Sequence, residues 1–298
     1  MLAVAERLGY RPNPTARALA RGKSNTLGVL VPFFFTRQNY VEIVRGIQAG
    51  VAEYDYSLVI YSVDRAEQAR SQFAALAKSG RVDGLIIVSL DASVIDHEAV
   101  DSRLPVLYVD SARGGLPALV PDHEGATLAA TRHLIEVHGH ESIAFIDRPQ
   151  DPVSQAHSAS RRLGFLAAHR AARLKPNPHA MVTEDYTAEG GYAAARRLLD
   201  LPSPPTAFVC ASDLQAIGLM RAARELGLRI GRDLAVIGYN DVLIAEYLGL
   251  STVHVPSFQM GREAVAVLLS MLDGKPADVR VKYVESRLVT RTSCGCGE

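Results

Sequence analysis

The sequence predicts an α/β protein made of two similar lobes, each with a parallel sheet, and three observations support this fold class. First, 298 residues that are 48% hydrophobic can bury a large core, at a length where single cores begin to split in two. Second, short Val- and Ile-rich runs alternate with longer stretches of helical period, as in repeated βα units. Third, this alternation comes in two successive series of similar order, which predicts two similar sheets with a ligand cleft between them.

The first series predicts one lobe. Each predicted strand is a short apolar run, and the helices between the strands carry apolar residues on one face. The strands are LGVLV (27–31), SLVIYS (57–62), GLIIV (84–88) and PVLYV (105–109), with helices near 40–53 and 66–79.

The second series begins after Pro121 and predicts the other lobe. Its strands are SIAFI (142–146), HAMVT (179–183), TAFVC (206–210) and LAVIG (234–238), with helices near 124–137, 160–172, 188–200 and 213–226. An amphipathic helix (258–272) and a single strand near 281–289 follow. If that helix packs on the first lobe, the chain crosses between lobes more than once. The predicted lobes are therefore about 26–119 with 256–281, and about 120–255 with 282–298.

Charge is balanced over the whole chain but not along it. Lys plus Arg and Asp plus Glu both number 32, so the molecule as a whole is not a typical polyanion binder. Within residues 1–23, however, one acid (Glu6) stands against five basic residues: Arg7, Arg11, Arg17, Arg21 and Lys23. Such a concentrated basic arm is typical of phosphate contact in nucleic acid.

The cysteines and histidines give no clear metal pattern. Three cysteines cannot form an even disulfide framework, and the Cys294-x-Cys296 pair has no histidine near it in sequence. We therefore expect a solvated, reduced tail, no metal and no cofactor. His133, His138 and His140 do not share one helical face, so their spacing does not predict a joint site. With no secretion signal and no membrane-length apolar run, we expect a cytoplasmic protein.

The segment GYRPNPTARALARGKSNTLG (9–28) is the most informative in the chain. Asn13 is a good helix N-cap, and the following alanines and Leu19 favour a helix of about two turns. Arg17 and Arg21 share one face of that helix. In a dimer, the Leu19 side chains of the two copies could together enter a DNA minor groove and kink it. A flexible tether whose leucine packs on the core is the alternative, and the residues alone leave both open.

This segment, extended to Pro32, resembles the junction between headpiece and core in the LacI/GalR (lactose-repressor and galactose-repressor) family of transcriptional regulators. There the last headpiece helix ends in Gly-Tyr-x-Pro-Asn, a hinge helix follows, and the first core strand begins. The likeness continues through YVEIVRGI (40–47), GRVDGLIIVS (80–89), LPVLYVD (104–110), HLIEVHGHESIAFI (133–146), SRRLGF (160–165), EGGYAAARRLL (189–199), PTAFVCASDLQAIGLMRAARELGLRI (205–230), DLAVIGYND (233–241) and LSTVHVPSFQMGREAV (250–265).

The resemblance implies a domain plan and a set of partners. Residues 1–10 correspond to the end of a helix-turn-helix headpiece, whose recognition helix would lie upstream, residues 11–25 to the hinge, and residues 26–298 to an effector-binding core of periplasmic-binding-protein-like fold. It also implies operator DNA as a partner and a homodimer, with a tetramer as the alternative. The hinge residues expected to contact DNA are Arg11, Asn13, Ala16, Arg17, Leu19 and Arg21.

The effector site is predicted by the sheets and narrowed by the resemblance. Ligands of open α/β sheets lie at the carboxyl ends of strands, where this chain has Phe33–Phe35, Asp64, Asp213 and Asp241 among other candidates. Arg161 falls where the family's cleft arginine fixes a polar ligand, and Asp122 where an acid contacts sugar hydroxyls. The predicted effector-binding set is Phe35, Tyr40, Ser89, Asp122, Arg161, Ser212 and Asn240.

Two of these positions depart from the family pattern. Asn240 stands where the family usually has Asp, and Ser212 where sugar-responsive members usually have Asn. Both changes weaken a direct assignment to sugars, although Asn can still donate and accept hydrogen bonds to a neutral polyol or monosaccharide.

These inferences predict a ligand-responsive transcriptional regulator, a repressor of the sugar-sensing kind. A solute-binding protein of the same fold is the alternative, and it would need a secretion signal instead of a basic arm. An enzyme is not expected, because the sequence has no G-x-S-x-G elbow, phosphate loop or H-E-x-x-H motif and offers no catalytic residues.

Overall fold

The computed structural model describes residues 23–34, 37–96, 104–151, 153, 157–275 and 280–297. They fall into two compact units. The first contains residues up to Leu119, the segment around Val153 and Ser257–Lys282, and the second contains Val120–Asp151, Gln155–Pro256 and the chain from Tyr283 onward. The expected DNA contacts Arg11, Asn13, Ala16, Arg17, Leu19 and Arg21, like the predicted effector contact Phe35, lie outside the described residues.

Strands and helices alternate along most of the described chain. In order they are β1 (Thr26–Pro32), α1 (Gln38–Val51), β2 (Ser57–Val63), α2 (Ala66–Ser79), β3 (Gly84–Val88), β4 (Val106–Val109), β5 (Ala118–Pro121), α3 (His123–Glu136), β6 (Ile143–Asp147), α4 (Ser158–Ala171), β7 (Met181–Thr183), α5 (Ala188–Leu199), β8 (Ala207–Cys210), α6 (Asp213–Glu225), β9 (Ala235–Asn240), α7 (Leu243–Tyr247), β10 (Ser251–His254), α8 (Ser257–Leu272), β11 (Val281–Val284) and β12 (Arg287–Val289).

The strands form two sheets of matching topology. One has the order β11-β5-β4-β3-β1-β2 and the other β12-β10-β9-β8-β6-β7. Neighbours from β5 to β2, and from β10 to β7, pair in parallel. Because helices cover parallel sheets, the central strands read as continuous apolar runs, and every residue of β3 and β8 is buried. The predicted fold class is confirmed.

The prediction of a single strand near 281–289 is wrong, because two short strands lie there. β11 joins the edge of the first sheet, whereas β12 pairs antiparallel with β10 at the edge of the second, with Leu288 opposite Val253. A straight strand can hydrogen-bond along only one sheet edge. The chain therefore breaks at Glu285 and Ser286, and each half completes a different sheet.

The late amphipathic helix α8 packs on α1 in the first unit, and two glycines allow the close approach. A Cβ added at Gly46 would collide with the carbonyl of Phe258, and one added at Gly261 would collide with the carbonyl of Ile43. Both helices bury apolar side chains there, including Ile47 and Val265, which are fully buried. The packing of these two backbones ties a segment near the end of the chain to one near its beginning.

Candidate ligand-binding site

The carboxyl ends of several strands carry non-glycine residues in left-handed backbone conformations. In the first unit these are Phe33 (φ 47), Ser89 (φ 49) and Asp110 (φ 56), and in the second Asn240 (φ 100) and Asp241 (φ 54). Such conformations are uncommon outside glycine, cost free energy, and concentrate at functional sites. They mark the same strand ends that parallel-sheet proteins use for ligands.

Arg161 lies in a buried cluster of rings in the second unit. Only 4% of this residue on α4 is exposed, and its guanidinium carbon lies 4.3 Å from the ring centroid of Tyr239 at the end of β9. The Tyr239 hydroxyl is 2.9 Å from Nδ1 of His123, whose ring stacks on His157 at 4.0 Å. A guanidinium lying over an aromatic face is held by a cation–π interaction and keeps its planar set of donors in a fixed orientation.

Asn240 belongs to a second polar network at neighbouring strand ends. Its Nδ2 donates to the hydroxyl of Tyr186 at 3.0 Å, and that hydroxyl donates to the carbonyl of Ala211 at 3.0 Å. The Gln215 amide donates to the carbonyls of Asp147, Glu184 and Asp185, each at 3.1 Å. These bonds fix the ends of β6, β8 and β9 and the segment after β7 in one arrangement.

Ser212 follows Ala211 and serves the fold directly. It is the N-cap of α6, where its hydroxyl oxygen accepts a hydrogen bond from the backbone N–H of Gln215 at 3.2 Å. The residue is 2% exposed. Capping of this kind supplies an acceptor for a helical N–H that has no partner within the helix.

Asp122 is the N-cap of α3, and its side chain accepts from the N–H of Gly125 at 2.8 Å. It is exposed and lines a surface cavity of about 590 Å³ together with His157, Ser160 and Tyr283. Arg161 does not line that cavity. The second unit therefore brings Arg161 to Tyr239, and His123 and His157 of the same ring cluster also line the cavity that contains Asp122.

The first unit brings together two buried polar residues at the ends of adjacent strands. The Ser89 hydroxyl donates to the carboxylate of Asp110, and both residues are nearly inaccessible. Tyr40 lies in the first turns of α1 with 2% of its surface exposed. In the preceding loop, the guanidinium of Arg37 lies 5.6 Å from the Phe33 ring centroid.

Two further acids that follow strands are held by hydrogen bonds within the second unit. Burial raises the pKa of Asp213 to about 7, even though its carboxylate accepts from Thr252 Oγ1 at 2.5 Å. Burial would also raise the pKa of Asp241, but hydrogen bonds from His254 at 2.9 Å and Arg291 at 2.8 Å bring it below its usual value. Asp213 and Asp241 thus hold the turn between β9 and α7.

Some residues of these clusters were missed from the sequence. No local motif marks these residues, because the groups that they contact lie far away in sequence. They are Tyr239, His123, His157, Tyr186 and Gln215. His123 and Tyr239, for instance, are 116 positions apart. The signal that could have found Tyr239 is its place immediately before Asn240, at the end of a buried strand.

Two parallel sheets of matching topology, with polar clusters at the carboxyl ends of their strands, define a protein of the periplasmic-binding-protein-like class. A family model described as a periplasmic binding protein-like domain matches residues 131–294. The transcriptional repressor CytR of Escherichia coli (strain K12) is 30% identical over 97% of this chain and 85% of its own.

Solved structures agree with this relationship. The Lac repressor dimer bound to operator and the anti-inducer ONPF superposes with a TM-score of 0.84 at 27% identity, covering 95% of this chain and 99% of that one. The transcriptional regulator CelR in complex with cellobiose gives 0.80 at 26% identity, covering 97% and 88%. The chain belongs to the LacI/GalR family of transcriptional regulators, as its resemblance predicted.

Among the described residues, no helix is both long and apolar enough to cross a membrane.

Proposed function

We propose that this chain is the effector-sensing part of a transcriptional repressor that responds to a small polar metabolite, a sugar or sugar derivative. Family membership supports the regulatory role, and related structures hold cellobiose or ONPF. Operator DNA is bound through the headpiece and the hinge at residues 11–25. The protein acts as a homodimer in the cytoplasm and catalyses no reaction.

The buried guanidinium of Arg161 carries this proposal. Its position over the Tyr239 ring fixes the direction of its donors before any ligand arrives, which lowers the entropic cost of binding. A planar set of N–H donors matches the hydroxyl oxygens of a sugar or polyol. Asn240 adds a neutral amide that both donates and accepts.

The other contacts are assigned unit by unit. In the second unit, the proposed effector contacts are Arg161, Asn240, Asp122 and Ser212. In the first unit, Ser89, Tyr40 and Phe35 supply a hydroxyl and two aromatic rings. Each of these assignments can be tested by its own substitution.

The ligand class can be tested with a panel of monosaccharides, disaccharides, polyols and nucleosides, screened by thermal shift and then titrated by calorimetry. One class of these compounds should raise the melting temperature of the protein, because a ligand at about 100 times its Kd adds about 2.7 kcal/mol to the free energy of unfolding. Saturable binding of a nucleoside but no carbohydrate would overturn the sugar assignment while leaving the regulatory role intact. Binding of no member of the panel would count against effector sensing as proposed.

A further inference from the structure

Four side chains of the types that bind transition metals meet in the second unit, away from the clusters described above. His133 lies in the last turn of α3 and His138 two residues beyond its end, while Cys294 ends the 3-10 turn Thr292–Cys294 and Cys296 follows it. Their four ligand atoms all lie within 4.8 Å of one another. The expectation of a solvated tail is wrong for Cys294, which is only 1% exposed.

The distances match a tetrahedral zinc site. The two Nε2 atoms are 3.1 Å apart, and His133 Nε2 lies 3.5 Å from Cys294 Sγ and 3.3 Å from Cys296 Sγ. Cys296 Sγ is also 3.3 Å from His138 Nε2. Zinc bonded to two imidazoles and two thiolates at ordinary lengths sets edges of about 3.3 Å between nitrogens and about 3.6 Å between nitrogen and sulfur. These four edges agree within about 0.3 Å, and the remaining two are no longer than 4.8 Å.

Hydrogen bonds alone do not account for this convergence. A neutral imidazole carries one proton on its two nitrogens, so two facing Nε2 atoms can share only one hydrogen bond. His133 Nε2 nevertheless faces three potential ligands at once. A divalent cation at the centre would engage all four lone pairs, and two thiolates would balance its charge. Imidazole and thiolate together favour zinc over the hard, oxygen-seeking cations.

The local backbone is built to bring both sulfurs to the same side. Gly295, between the two cysteines, has φ 96, a conformation that side-chain-bearing residues rarely adopt. A Cβ at this position would lie 3.2 Å from both Nδ1 and Cε1 of His138, tighter than normal packing. The preceding Ser293 anchors the turn, because its hydroxyl accepts from Ser251 N at 2.8 Å and donates to the Val236 carbonyl at 2.6 Å.

We infer that His133, His138, Cys294 and Cys296 bind one zinc ion in a closed site that pins the end of the chain to the end of α3. Four protein ligands leave no open coordination position, so the site is structural and not catalytic. Its ligands come from the second unit alone, and the inference does not depend on which effector the protein senses.

Metal content tests the inference directly. The untagged full chain, purified without chelator and dialysed, should carry about one zinc per chain by elemental analysis. The double variant Cys294→Ser/Cys296→Ser should lose nearly all of it. Cobalt added to chelator-treated protein should give the intense visible bands of tetrahedral Co(II) and the near-ultraviolet thiolate charge-transfer band, both absent in the double variant. Chelation should lower the melting temperature of the parent and not that of the variant.

Two substitutions serve as matched controls. His140→Gln should keep its zinc, because His140 Nδ1 already pairs with Thr206 Oγ1 at 2.9 Å. Cys210→Ala removes a thiol in the core of the second sheet, far from the tail in sequence, and should keep its zinc too. If the double cysteine variant does not fold, cobalt titration of the chelator-treated parent decides the matter alone. A parent that binds neither zinc nor cobalt, a double variant that binds both equally, or a Cys294–Cys296 disulfide in the purified protein would overturn the inference.

Discussion

Asp213 shows at the scale of one residue how burial makes stability depend on pH. Its pKa rises from the ordinary aspartate value of 3.8 to about 7 in the folded protein, mainly because burial disfavours the charged form. Between these values the folded state holds a proton that the unfolded state has released. The contribution of Asp213 to stability is therefore present at acid pH and is lost as pH rises from about 4 to about 7.

Asp213→Asn should remove this dependence, since an amide does not ionise. We expect the free energy of unfolding of the parent, measured by urea denaturation, to fall over that pH range by more than that of the variant, by on the order of a few kcal/mol. Asp233→Asn is the control. Asp233 is an exposed aspartate whose pKa is lowered by hydrogen bonds with Arg229, so it stays ionised over this pH range. Parallel pH profiles for the parent and Asp213→Asn would show that the buried carboxyl does not titrate in this range.

Single residues of the candidate site could be proposed from the sequence only where the chain itself carried a signal, and their roles stay predictions. Arg161 and Asp122 came from the family resemblance, and Asn240 and Ser89 from their places after apolar runs. The ring partners Tyr239 and His123 could not be predicted, because a contact across 116 positions depends on how the strands are ordered in the sheet. The same limit hid the meeting of Cys296 with His138, which are 158 positions apart.

At the scale of elements, the contact of α1 with α8 depends on two small residues. Gly261→Ala should lower the free energy of unfolding by about 1 to 3 kcal/mol, because its Cβ would press on the backbone of α1 at Ile43 and neither helix can move freely. Gly114→Ala is the matched control in the same unit, where an added Cβ meets nothing within 4 Å. Urea denaturation of the two variants should separate them clearly. Equal stability would mean that the helices tolerate a wider spacing.

Regular elements were predicted well where the pattern was long and missed where it was short. GLIIV (84–88) and the helix 66–79 have the predicted bounds, because both carry a continuous apolar run or a full helical period. β5 has four residues and ends in proline, β10 mixes Ser, Thr and His, and α7 has five residues. None of these is long enough to show a period. HAMVT (179–183) begins as a 3-10 turn because Asn177 caps it.

At the scale of the whole molecule, the family places this chain among regulators, and a relative has been solved as a dimer on its operator. We expect a homodimer by sedimentation at micromolar concentration, since paired hinge segments need two copies. A monomer at that concentration would contradict this.

The central claim, that the protein senses a small polar effector through Arg161, is tested most directly by calorimetry of Arg161→Ala with the effector that the panel identifies. Each lost hydrogen bond in a buried site costs about 1 to 3 kcal/mol, so Kd should rise at least about fivefold. The neighbouring Arg162 is exposed on the same helix, and Arg162→Ala should bind like the parent. Melting curves should show that both variants fold. An unchanged Kd for a folded Arg161→Ala would contradict the account.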